Sequence, residues 1–255
     1  MSITPLIRSF SSCTVLAVIF LAACSTQKPT EAGHLTSIQT TRGIFVLPVF
    51  AASSPGQGTV LLASGDGGWS GFEEKIGGEL ASRGFRVVCW DCQKYAALGS
   101  YDRKLLSTDM IAAIQAAGVA GTTIGKPLIL AGYSTGAEQV VAVASGPWRP
   151  PQVAGLLLIS PGWRGRYGIS LCDRMGLPPK GSDTFSLQDL SSHLENLRIY
   201  QIHGEHDPLD QTAWLQGLKV PHKLAVYPDG WHLFKGGPPD FLTMVAKGTA
   251  WILHE

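Results

Sequence analysis

The chain has 255 residues, enough for one large domain or two small ones, and 45% of them are hydrophobic against 15% charged. That balance excludes disorder and long coiled coils, whose charged share runs higher. Twenty basic and nineteen acidic side chains leave a formal charge of +1, no electrostatic footprint for nucleic acid, and five cysteines are too few for a disulfide scaffold.

At the N-terminus, Arg8 precedes a short apolar run, Val15-Leu16-Ala17-Val18-Ile19-Phe20-Leu21. The run is too short to cross a bilayer and has the n-region and h-region of an export signal. Its ending, Leu21-Ala22-Ala23-Cys24, resembles a bacterial lipobox. The resemblance implies removal of residues 1–23 and a diacylated Cys24; an ordinary secretory signal cut nearby is the alternative. Ser25 in place of Asp implies, by the same resemblance, the outer membrane. The expected location is therefore the bacterial periplasm, with the membrane reached through a lipid anchor rather than a transmembrane helix. Residues 24–42, small and polar after the cysteine, read as a flexible tether, so the folded domain is expected over 43–255.

Within that domain, apolar runs alternate with helical patterns. Strands are expected at 44–50, 59–63, 85–90, 127–131, 153–160, 198–203 and 223–227, and helices at 72–83, 102–117, 135–144, 209–217 and 239–253. Several strands are continuously apolar, such as Thr59-Val60-Leu61-Leu62-Ala63, as expected of strands covered on both faces. The alternation predicts an α/β class, a mostly parallel doubly wound sheet with helices on both faces. Ligands of such sheets bind beyond the carboxyl ends of the strands.

The strand at 127–131 runs into Gly132-Tyr133-Ser134-Thr135-Gly136 and then a helix. Gly-x-Ser-x-Gly at a strand-to-helix turn is a nucleophile elbow, which makes Ser134 the candidate nucleophile. A serine hydroxyl needs a base, which in this chain order lies downstream, after an acid. Of seven histidines, His232 follows the last strand and precedes the last helix, where the base is presented. His34 falls in the tether, His193 in a polar stretch, His222 at a strand start and His254 at the terminus. After the strand at 198–203, Gly204-Glu205-His206-Asp207 offers the acid. Asp207 has the usual place and would fix the imidazole tautomer; Glu205 is the weaker candidate, and Asp210 reads as a helix N-terminal charge. The spacing of His203, Glu205, His206 and Asp207 matches no zinc motif, so neither metal nor cofactor is expected.

An oxyanion hole needs two backbone donors. The loop Ser64-Gly65-Asp66-Gly67-Gly68-Trp69 follows the strand at 59–63, and its glycines allow close approach of backbone to ligand. The amides of Asp66 and Thr135 are the candidates, with Gly65, Gly67 and Trp69 lining the substrate. The loop also partly fits a dinucleotide fingerprint with Asp91 as its acid, but Ser70 stands where the third glycine belongs.

On these motifs the chain resembles the α/β-hydrolase superfamily over 43–255. The residues Ser64 to Trp69 and Gly132-Tyr133-Ser134-Thr135-Gly136-Ala137-Glu138, closed by Asp207 and His232, resemble more narrowly the VirJ/AcvB group of bacterial virulence proteins. Thr135 and Glu138 depart from the aromatic and Asp usual there. The resemblance implies an α/β-hydrolase fold with a short lid, about 161–196, and an exported serine hydrolase that cleaves a carboxylic ester. Some members resemble hydrolases of aminoacyl-phosphatidylglycerol, which implies a membrane-lipid ester as substrate. Asp66 or Glu138 would then meet the amine. Arg164 and Arg166 would hold the lipid phosphate, with Trp163 and Tyr167 at the bilayer interface. A non-catalytic membrane-tethered adaptor or chaperone on the same fold, linked to secretion or virulence, stays as the alternative. Cys89-Trp90-Asp91-Cys92 has a Cys-x-x-Cys spacing but follows a strand and is not expected to open a helix, so among Cys89, Cys92 and Cys172 a structural disulfide is expected over a redox motif, with the pairing open.

Overall fold

The computed structural model describes residues 33–53, 56–118, 125–170, 175, 177 and 181–254. The export signal, Cys24 and Cys172 lie outside the described residues. In chain order the strands are β1 (Gly33–Thr40), β2 (Gly43–Phe50), β3 (Gly58–Ala63), β4 (Phe85–Trp90), β5 (Leu128–Tyr133), β6 (Val153–Ile159), β7 (Arg164–Arg166), β8 (Thr184–Ser186), β9 (Arg198–Gly204) and β10 (His222–Tyr227). The helices are α1 (Gly71–Ser82), α2 (Cys92–Ala97), α3 (Arg103–Ala117), α4 (Thr135–Ala144), α5 (Leu187–Leu190) and α6 (Pro239–Ile252).

Eight strands form one sheet in the order β1-β2-β4-β3-β5-β6-β9-β10. From β4 to β10 every pairing is parallel, while β1–β2 and β2–β4 are antiparallel. The strand period of two splits the core into two layers. Val60 and Leu62 of β3 pack with Ile76 and Leu80 of α1 and Phe241 and Val245 of α6. Leu61 and Ala63 pack on the other face with Leu106 and Met110 of α3 and Val140 and Val141 of α4. Each such large aliphatic side chain contributes about 1.5–3 kcal/mol by leaving water.

Local chemistry fixes the helix starts. Ser70 and Glu73 form a reciprocal capping box on α1, Asp102 accepts the Leu105 amide at 2.8 Å, and α6 begins with Pro239, which needs no amide partner.

Four expectations are corrected here. Residues 33–40 are not tether: they form edge strand β1, paired along its whole length with β2, and Ile38 is buried in the core. The helix expected at 209–217 is absent, leaving one 3-10 turn, Ala213–Gly217, because the Asp210 side chain is drawn inward to the sheet. Cys92 opens the short helix α2, with Asp91 as its N-cap. Cys89 and Cys92 are free, buried thiols. They belong to the two opposite core layers, so they do not bridge each other.

The insertion between β6 and β9 carries the β7–β8 ribbon and α5. Leu187, Leu190 and Leu194 root it in the core beneath it. Among the described residues no helix is long and apolar enough to cross a membrane.

Candidate active site

Ser134 joins β5 to α4 with φ 51° and ψ −123°, a conformation rare for a residue with a Cβ. The flanking glycines make it possible. A Cβ at Gly136 would lie 2.4 Å from the Ala63 and Ser64 carbonyl oxygens, and one at Gly132 would lie 2.4 Å from the Gly136 backbone. The turn therefore seats the start of α4 directly on the end of β3.

His232 lies in the loop between β10 and α6, and Asp207 in the loop after β9. His232 Nε2 is 3.1 Å from Ser134 Oγ, and His232 Nδ1 is 2.8 Å from Asp207 Oδ2. The Asp207 carboxylate is fully buried, and its other oxygen accepts the Leu209 amide at 2.9 Å. Burial pushes the Asp207 carboxyl up, but the His232 hydrogen bond and charge, together with the Leu209 amide, outweigh it and hold the group below its ordinary range. An ionised carboxylate only accepts, so the proton belongs on His232 Nδ1 and the lone pair on Nε2 faces the serine. In this geometry the imidazole can take the hydroxyl proton.

Thr135 is the first residue of α4, where an amide has no partner within the helix. Gly65 sits against the nucleophile, since a Cβ there would lie 3.6 Å from Ser134 Cβ. Asp66 follows Gly65 in the same loop. Gly67 is exposed with nothing near it, and the Trp69 indole is tied to Glu74 at 3.0 Å.

Other expected contacts take different forms. Glu138 is buried and accepts the Gly162 amide at 2.9 Å, which ties α4 to the insertion. Arg166 is ion-paired with Asp183 at 3.2 Å. Arg164 lies over the Trp163 ring at 5.6 Å, and that ring is exposed. Tyr167 packs on Phe185 instead of projecting outward. Asp210 is no helix-end charge: it takes Gln201 Nε2 and His203 Nδ1, each at 2.8 Å. Burial is the first cause that pushes its carboxyl up, to about 7, against the lowering effect of His203. Glu205, His206 and Asp229 cluster at the surface beside the His232 loop.

One buried group was not singled out from the sequence. Glu73 accepts the Ser70 amide at 3.0 Å and the Gly65 amide at 3.5 Å, bracing the glycine loop from behind. Its signal is legible as Ser70-Gly71-Phe72-Glu73, a capping-box spacing.

Residues 58–247 match the family model described as "Bacterial virulence protein (VirJ)". The chain belongs to the VirJ family. Solved structures add the fold. DcsB, solved with a substrate analogue, superposes with TM-score 0.67 at 13% identity, over 88% of this chain and 99% of that one. A carboxyl esterase from Bacillus coagulans gives 0.65 at 15% identity, over 88% and 99%. A dienelactone hydrolase from Anabaena variabilis gives 0.63 at 19%, over 87% and 97%. This VirJ-family chain thus has the α/β-hydrolase fold. No curated protein sequence matches it.

Proposed function

We propose that this VirJ-family protein is an exported serine hydrolase that cleaves a membrane-lipid ester, of the aminoacyl-phosphatidylglycerol class, through an acyl-enzyme. The observation that carries the hydrolase reading is the continuous hydrogen-bonded line from Ser134 through His232 to buried Asp207. Ser134 Oγ attacks the ester carbonyl while His232 Nε2 takes its proton. The oxyanion is held by the Asp66 and Thr135 amides, and collapse expels the alcohol, which receives that proton. Water, deprotonated by His232, then releases the acyl group and restores the serine.

A lipid substrate is supported by the lipobox-like Cys24, by exposed apolar groups beside His232 and by an exposed ring on the insertion. Trp231 and Leu233, on either side of His232, are 60% and 72% exposed, and Trp163 is 46% exposed beside the Arg164 guanidinium. An amphipathic ring next to a cation suits a headgroup boundary. Asp66 or Glu138 is the acid that would meet a substrate amine.

Purified protein and vesicles of phosphatidylglycerol with its aminoacyl ester test this. Wild type should release free amino acid, Ser134→Ala should release none, and Arg164→Ala should lose turnover on vesicles but not on a small soluble ester. Hydrolysis of soluble esters with vesicles untouched would overturn the lipid assignment. For the anchor, radiolabelled palmitate should enter the wild type and not Cys24→Ala; equal labelling would refute it.

A further inference from the structure

Tyr133 closes β5 immediately before Ser134, and it contacts both the base and the glycine loop. Its hydroxyl donates to the His232 backbone carbonyl at 3.0 Å, and its ring lies 5.2 Å from the imidazole, centroid to centroid. The same ring packs edge-on against Phe72 at 4.9 Å. A Cβ at Gly65 would come within 3.2 Å of it, so the glycine loop rests on the ring as well.

The His232 loop needs such a tie. Asp229, Phe234 and Lys235 have φ of 51°, 43° and 48°, so the segment between β10 and α6 has no regular ladder to hold it. Its own backbone bonds, Gly230 to Tyr227, Phe234 to Trp231, Gly236 to Leu233 and Gly237 to Phe234, are local turns. Outward, the Asp229 amide donates to Glu205 and Lys75 to the Gly236 carbonyl at exposed positions, and the Gly230 carbonyl accepts the His206 amide at 2.8 Å. At His232 itself the Asp207 carboxylate holds the ring, and the Tyr133 hydroxyl holds the backbone carbonyl. Burial, and then the charges of Glu73, Asp207 and Asp66, push the Tyr133 hydroxyl far above its ordinary range, so it stays a donor.

We propose that Tyr133 is a positioning residue, whose hydroxyl sets the Ser134–His232 contact by anchoring the carbonyl of the base. The inference rests on the hydrolase reading above. It acts in the ground-state geometry of the general base, so loss of the hydroxyl should slow proton transfer without changing substrate capture.

The test is Tyr133→Phe, which keeps the ring and removes the donor, assayed on a small soluble ester. kcat should fall about tenfold with KM unchanged. In a His232→Ala background the same substitution should change the residual rate less than about twofold, because its target is gone. A 3-fluorotyrosine at position 133 keeps the donor and should restore the rate, which also covers a failure of the phenylalanine variant to fold. An unchanged kcat in the otherwise wild-type protein, or an equal loss with and without His232, overturns the inference while leaving the hydrolase reading standing. A wild type that hydrolyses no ester overturns both.

Discussion

At Gly136 one added carbon decides whether the serine turn can close, since its neighbours are the carbonyls of Ala63 and Ser64 at 2.4 Å. Backbone cannot swing aside as a side chain can, so Gly136→Ala should destabilise the fold by about 1–3 kcal/mol, read as a lower urea midpoint. The glycine loop separates two cases. Gly65→Ala sets a methyl 3.2 Å from the Tyr133 ring and should depress kcat, whereas Gly67→Ala meets nothing within 4 Å and should leave kcat near wild type. Asp210 gives a pH prediction. Its carboxyl rises from 3.8 to about 7 on folding, so the folded state holds the proton more tightly. Its contribution to stability is complete below the unfolded value and is lost as pH rises to about 7. The thermal midpoint of Asp210→Asn should therefore fall less than that of wild type between pH 4 and pH 7; parallel curves would contradict this. In the sequence, Ser134 was readable because its pentapeptide follows an apolar run and opens a helix. Asp210 was not, because its partners Gln201 and His203 lie in β9, and their approach depends on how the chain doubles back.

Elements show the same division between local and distant causes. Helix α4 runs over the expected residues because its start is coded beside it, and all ten of its residues are buried. Strand β1 was missed because Gly33-His34-Leu35-Thr36-Ser37-Ile38-Gln39-Thr40 is mostly polar; its strand character comes from pairing with β2. A variant beginning at residue 43 should therefore aggregate, since it loses buried Ile38 and turns β2, with exposed Ile44 and Val46, into an unprotected edge. A soluble variant with an unchanged midpoint would show β1 to be dispensable. The insertion depends on a long-range contact too, from Glu138 to the Gly162 amide. Glu138→Ala should speed proteolytic cleavage between residues 161 and 196, and Glu138→Gln, which keeps an acceptor, should not.

On the scale of the whole molecule, the alternating pattern was enough for the parallel sheet, and the sheet brings the ends of β3, β5, β9 and β10 to one edge. The residues expected to act together, Ser134, Asp207 and His232, converge there from loops up to 98 residues apart in the chain. What could not be read was how that edge is braced: Glu138 under the insertion and Tyr133 between nucleophile and base. Each brace joins segments whose proximity exists only after folding. The central claim is that the converged edge is a working serine hydrolase and not an inert adaptor. Reaction with a fluorophosphonate, followed by intact mass and peptide mapping, tests it most directly. The account predicts a single adduct on Ser134, absent from Ser134→Ala and strongly slowed in His232→Ala; folded wild-type protein that takes up no probe would contradict it.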